Sequence, residues 1–139
     1  MVHVVGDEPE IRRCFPIMAQ LRPHLAEQTF VERTMRQMRD ERFRIAALEV
    51  NGQVEALAGF RIMETLITGV HMYVDDLVTA EKSRSMGYGG QLFEWLVAHA
   101  RKEKCVELHL DSGVQRHDAH RFYFRQGMCI MGYHFKLKI

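Results

Sequence analysis

The stretch RSMGYGGQLFEWLVAHA, residues 84–100, decides the reading of this chain. Three glycines fall within four residues, at Gly87, Gly89 and Gly90, and an apolar stripe begins at once. Leu92, Phe93, Leu96, Val97 and Ala100 recur at helical spacing. The first turn of a helix leaves backbone N–H groups without partners, and its dipole adds positive character, so a helix start is a ready anion cradle. Glycines let an anion approach the backbone and let the chain adopt positive φ. Arg84 adds a charged fork and Lys82 stands at the rim. The loop lacks the Gly-Lys-Ser/Thr ending of a P-loop, and its spacing is not that of a dinucleotide fingerprint. Taken alone, it is either an anion site or a tight strand-to-helix turn.

Upstream, Asp7 is placed to cap a helix that starts with Glu8, Pro9 and Glu10, and Pro16 predicts a kink or break in it. A second amphipathic helix follows Pro23, with Phe30, Met35 and Met38 among charges. Two β-rich runs flank Asn51-Gly52, the signature of a type I′ hairpin. A further strand, GVHMYVDDLVT, leads to the glycine loop and a helix over about residues 88–104. CVELHLD alternates as a strand, DAHRFYFRQG reads as a short helix closed by Gly127, and MCIMGYHFKLKI alternates as a last strand. The order is β-α-α-β-β-β-α-β-α-β, an α/β (α+β) domain with a mixed sheet and flanking helices.

The 139 residues predict one domain, 47% apolar and 27% charged. Lys+Arg is 19 against 18 for Asp+Glu, which removes any general electrostatic case for nucleic acid or an anionic membrane. No stretch is long and apolar enough to span a bilayer, and the N-terminus does not read as a secretory signal. Cys14, Cys105 and Cys129 form no metal-type pair and no disulfide framework. They read as buried reduced thiols, which suits the cytoplasm.

The run DDLVTAEKSRSMGYGGQLFEWLVAHA resembles the acyl-CoA-binding motif of the GNAT superfamily of N-acetyltransferases: a strand, a loop, Q/R-x-x-G-x-G/A, then an amphipathic helix. Arg84, Gly87 and Gly89 fill its fixed positions. Downstream, AHRFYFRQGM is similar to the family's second motif through Ala119, Phe122, Tyr123 and Gly127. The wider segment RHDAHRFYFRQG looks like its equivalent in aminoalkylphosphonate N-acetyltransferases. One position departs: where many members carry an Asn that contacts the pantetheine arm, this chain has Arg116.

The resemblance implies a mostly antiparallel GNAT sheet and acetyl transfer from acetyl-CoA, a co-substrate, to an amine in a ternary complex. It implies that the DLVT strand bulges and splays from its neighbour. Backbone groups of Leu77, Val78 and Thr79 would then meet the pantetheine arm, with the Leu77 N–H polarising the thioester carbonyl. The pyrophosphate would lie on Arg84, Ser85, Met86, Gly87, Tyr88, Gly89 and Gly90. Tyr123 would protonate the leaving thiolate.

An alkyl amine of pKa ~10 must lose a proton before it attacks, so a nearby carboxylate is expected. Asp75 and Asp76 are adjacent, and strand alternation predicts that only one faces the slot. By register with relatives Asp75 leads, Asp76 is the reserve and Glu64 a distant third. The alternative for both aspartates is a structural hydrogen bond or a surface charge. His117, Asp118 and His120 invite a metal, but Asp118 suits a helix first turn and no second cluster completes a ligand set, so none is expected. His71 and His109 sit on the two strands expected to splay. Arg33, Arg36, Arg39, Arg42 and Arg44 read as a solvated face, or as a pocket for an anionic acceptor.

The expected partner is a small-molecule primary amine, with an aminoalkylphosphonate-like acceptor ahead of polyamines or aminoglycosides. Nucleic acid and membrane are not expected, and a homodimer rests on family habit and the alternating last strand. The competing functions are a protein lysine or N-terminal acetyltransferase and a non-catalytic CoA-binding module.

Overall fold

The computed structural model describes all residues 1–139, in two compact units, 1–109 and 110–139. The elements are β1 (Val2–Val4), α1 (Glu8–Leu21), α2 (Glu27–Asp40), β2 (Arg44–Val50), β3 (Gln53–Thr65), β4 (Gly69–Thr79), a 3-10 turn (Glu81–Ser83), α3 (Tyr88–Lys102), β5 (Glu107–Leu110) and α4 (His117–Arg125). The five strands form one sheet in the order β1-β2-β3-β4-β5, and the first three pairings are antiparallel.

Local chemistry sets most boundaries. Asp7 accepts the N–H of Glu10 through Oδ1 at 3.0 Å, the predicted cap of α1. Asn51 and Gly52 both take positive φ, +51° and +76°, as a type I′ hairpin requires. Pro16, however, does not break α1. The proline removes one backbone donor, yet Ile11 and Cys14 before it and Ile17 and Met18 after it are buried in a common core that holds both halves.

Alternate residues of the sheet feed two layers. Ile45, Ala47, Leu57 and Val78 join the core of α1 and α2, with Ile11, Cys14, Met18, Phe30 and Val31. On the other side Phe60 meets Trp95 and His99 of α3 edge-on, at 6.2 and 5.5 Å between ring centroids.

The sheet does not continue after α4. Residues 128–139 carry no regular secondary structure, so the predicted last strand is absent. Alternation alone does not make a strand, which exists only when a neighbour completes its ladder. Met131, Tyr133, Phe135, Leu137 and Ile139 are exposed there. All three thiols are free, but only Cys14 is buried as expected: Cys105 is intermediate and Cys129 is exposed. Burial pushes the Cys14 thiol up to about 12, which leaves it inert at neutral pH.

Candidate active site

The centre of interest is one irregularity in β4. Phe60 pairs with Val74, and the preceding residue, Gly59, pairs with Asp76, so Asp75 is the extra residue of a bulge. Register assigns the faces. Val74 stands opposite Phe60, on the α3 side; Val78 stands opposite Leu57, in the α1/α2 core. Two residues four apart on an unbroken strand would share a face. Here they do not, so alternation slips by one at the bulge. Both Asp75 and Asp76 therefore face the α1/α2 side. The expectation that only one of them faces that way is corrected: it assumed an uninterrupted strand.

Each aspartate is held by its own arginine. Arg61 of β3 grips Asp75 in a two-pronged ion pair, Nε to Oδ1 at 3.0 Å and Nη2 to Oδ2 at 2.6 Å. The same guanidinium reaches Glu41 at 2.8 Å and Gln37 at 3.0 Å, and lies over the Phe43 ring at 5.4 Å from its centroid. Arg22, at the end of α1, donates to Asp76 Oδ1 at 2.9 Å and to the Asp75 carbonyl at 3.1 Å. Burial raises the Asp76 carboxyl above its ordinary range; Arg22 opposes this and the charge of Asp75 adds to it.

Gly59 makes room for this arrangement. A Cβ there would stand 2.6 Å from Asp76 Oδ2 and 2.6 Å from Phe43 Cζ. Neither Arg22 nor Arg61 was singled out from the sequence, because their partners lie 54 and 14 positions away. Gly59 carried a usable signal: a glycine inside a strand marks a bulge or a close approach.

Directly after the acids come Leu77, Val78 and Thr79, paired with Ala58, Leu57 and Ala56 of β3. On the opposite edge of β4, Val106 donates to the Val70 carbonyl at 2.9 Å, and β5 ends at Leu110 after four residues, against eleven in β4. The rings of His71 and His109 lie 4.6 Å apart, and His71 is buried with Nδ1 2.9 Å from the Gly69 carbonyl, which makes it a packing residue. Glu64 is exposed, as are Arg33, Arg36, Arg39, Arg42 and Arg44.

The glycine loop has the character of a cradle. Gly87 caps α3 at φ +82°, and no side chain caps that helix. Ser85 also takes positive φ, +70°, and a Cβ on Gly90 would meet nothing. Arg84, Ser85, Met86 and Gly87 are exposed, and Tyr88, Gly89 and Gly90 are half-buried. An open backbone at a helix start has the chemistry to receive an anion.

In the second unit Arg116 stands at the N-terminus of α4 and Tyr123 lies within the helix. Burial raises the Tyr123 phenol, while the charge of Arg116 opposes the shift. The phenol therefore keeps its proton at neutral pH. His120 Nε2 lies 2.8 Å from the Gly113 carbonyl and Asp118 pairs with Arg121. No group of three His, Cys, Asp or Glu side chains is placed to hold a metal ion, and no helix is long and apolar enough to cross a membrane.

Comparison with known proteins agrees with these features. The profile of the Acetyltransferase (GNAT) family matches residues 10–128. The chain is 34% identical to the "Uncharacterized N-acetyltransferase YhdJ" of Bacillus subtilis (strain 168), over 98% of both proteins. It is 35% identical to the aminoalkylphosphonate N-acetyltransferase of Salmonella typhimurium (strain LT2), over only 39% of this chain and 35% of that protein. Among solved structures it superposes on an aminoglycoside N-acetyltransferase in complex with CoA, with a TM-score of 0.86 at 10% identity, over 100% of this chain and 95% of the other. The chain is a member of the GNAT family of N-acetyltransferases.

Proposed function

We propose that residues 1–139 act as one acyltransferase domain that moves an acetyl group from acetyl-CoA to a primary amine of a small molecule, by direct attack in a ternary complex. The observation that carries this reading is the bulge at Asp75, which turns two acids to one face immediately before Leu77, Val78 and Thr79. Acetyl-CoA supplies an acyl group on a thiolate leaving group.

Asp76 is the base. Both oxygens of Asp75 are committed to Arg61, whereas Arg22 engages only Oδ1 of Asp76 through its Nε. Burial also makes Asp76 a stronger proton acceptor than an ordinary aspartate, since a raised carboxyl holds a proton more strongly. Asp75 positions: with Arg61 it fixes the bulge and orients its neighbour. The Leu77 N–H polarises the thioester carbonyl, and Val78 and Thr79 offer backbone groups to the pantetheine arm. Arg84 and the amides of residues 85–90 take the pyrophosphate. Tyr123 protonates the departing sulfur, and Arg116 stands in place of the family's asparagine.

Within small amines, an aminoalkylphosphonate-like acceptor is favoured by the partial similarity to the Salmonella enzyme. The test is CoA release from acetyl-CoA across an amine panel including 2-aminoethylphosphonate, with Asp76→Asn and Tyr123→Phe in parallel. Turnover raised by one amine and lost in both variants supports the reading. Silence with free amines but acetylation of peptide lysines or N-termini replaces the acceptor class. Silence with both, while CoA still raises the melting temperature, leaves a binding module.

A further inference from the structure

Just ahead of the glycine loop, four consecutive residues are tied down from two other elements. Ala80 donates its N–H to the Glu55 carbonyl at 2.7 Å, and Glu81 its N–H to Gln20 Oε1 of α1 at 2.8 Å. Lys82 Nζ lies 2.9 Å from Gln53 Oε1 and 3.3 Å from Glu55 Oε1. Ser83 Oγ donates to Glu55 Oε2 at 2.5 Å. Glu55 and Ser83 are both buried, 7% and 8% exposed, whereas the residues flanking Ser83, from Glu81 to Gly87, are all exposed. Ser83 also fixes the next turn of the chain, because its carbonyl accepts the N–H of Met86 at 3.3 Å on the way into Gly87.

We propose that the buried Glu55–Ser83 pair is a latch that holds the base of the glycine loop and so sets affinity for acetyl-CoA, without touching the ligand. A carboxylate in a sheet interior is costly unless paired. Glu55 has its pairing entirely in the loop, from Ser83 first and Lys82 second, and the Ser83 bond is also the largest influence holding its carboxyl below the ordinary range. The loop beyond Ser83 is held by backbone turns alone, with two positive-φ residues, Ser85 and Gly87. Its amides are presented in a fixed arrangement only if its base is fixed, and a binder that must be ordered on each encounter loses affinity. This inference rests on the reading of residues 84–90 as the acyl-CoA cradle.

The test measures CoA binding by calorimetry, and KM and kcat with acetyl-CoA, for wild type, Ser83→Ala, Glu55→Ala, the double variant and Glu55→Gln. Each single truncation is expected to weaken CoA binding and raise KM for acetyl-CoA about tenfold, as for loss of a charge-assisted hydrogen bond. kcat at saturation and KM for the amine should stay within about twofold, a split that general loosening of the fold would not give. The double variant should be no worse than either single one, because both break the same bond. Glu55→Gln, which can still accept from Ser83, should recover part of the loss. Wild-type binding of CoA with variants of equal affinity overturns the latch alone, as does an equal fall in kcat and in affinity for both substrates. Failure of the wild type itself to bind CoA overturns the cradle reading, and the latch with it.

Discussion

The bulge of β4 and the glycine loop before α3 are built on opposite plans. At the bulge, side chains do everything: two aspartates, two arginines, a phenylalanine ring and a missing Cβ fit one another at distances of 2.6–3.1 Å or in ring contact. At the loop, the surface proposed to bind is backbone, the side chains from Arg84 to Met86 are exposed, and the contact from below is the Glu55–Ser83 bond. A side-chain site is expected to fail at single positions and to respond to pH. A backbone site should tolerate most substitutions and fail only where φ demands glycine or where its support is cut.

The largest expected effect tests the first half of that contrast. Asp76→Asn should lower kcat by about 10²–10⁴, the usual worth of a positioned general base, in steady-state assays. Asp75→Asn should lower it far less, because Arg61 engages both carboxylate oxygens of Asp75. Equal losses would show that the pair works as a unit, and the reverse order would return the role to Asp75.

Next is Gly59→Ala. The new methyl would meet the Asp76 carboxylate and the buried Phe43 ring, so a loss of about 1–3 kcal/mol is expected in chemical denaturation. On the loop, Gly87→Ala should cost about 1 kcal/mol from its φ of +82° and raise KM for acetyl-CoA. Met86→Ala beside it should change stability by no more than about 0.5 kcal/mol. A Met86 effect as large as that of Gly87 would end the distinction between the two plans.

The smallest effect lies in pH. The folded-state carboxyl of Asp76 is raised above its ordinary value of 3.8, chiefly by burial. Such a group favours the folded state below its unfolded pKa, and that contribution is lost as pH rises through the folded one. Unfolding of Asp76→Asn measured from about pH 3 upward should therefore show the variant gaining on the wild type as pH passes the ordinary aspartate range. A flat difference would mean that the Arg22 pair fully offsets burial.

Features whose cause is local were legible in the sequence. Asn51-Gly52 dictates its hairpin, Asp7 its helix start, and Gly87 the left-handed entry into α3. The glycine loop and the pair of aspartates were visible as candidates for the same reason. Features that depend on a distant partner were not. The shared face of Asp75 and Asp76 is set by a slip between Gly59 and Phe60, and the surroundings of the two acids by Arg22 and Arg61, which no spacing rule connects to them. The last twelve residues show the converse, a clear strand pattern without a strand, because a pattern states what a segment can pair with and not that it does.

The slip in β4 also works like a shifted reading frame. Every residue after it occupies the face that its predecessors left, so Val78 lies in the α1/α2 core only because one extra residue precedes it. Replacing an aspartate removes a carboxylate. Deleting one would restore the plain pleat, turn Leu77, Val78 and Thr79 over together, and exchange the lining of two cores at once. At this position an insertion or deletion is a heavier event than any substitution, and a relative that has kept the length of this strand while losing an acid has preserved more of the architecture than one that has kept the acid and lost the length.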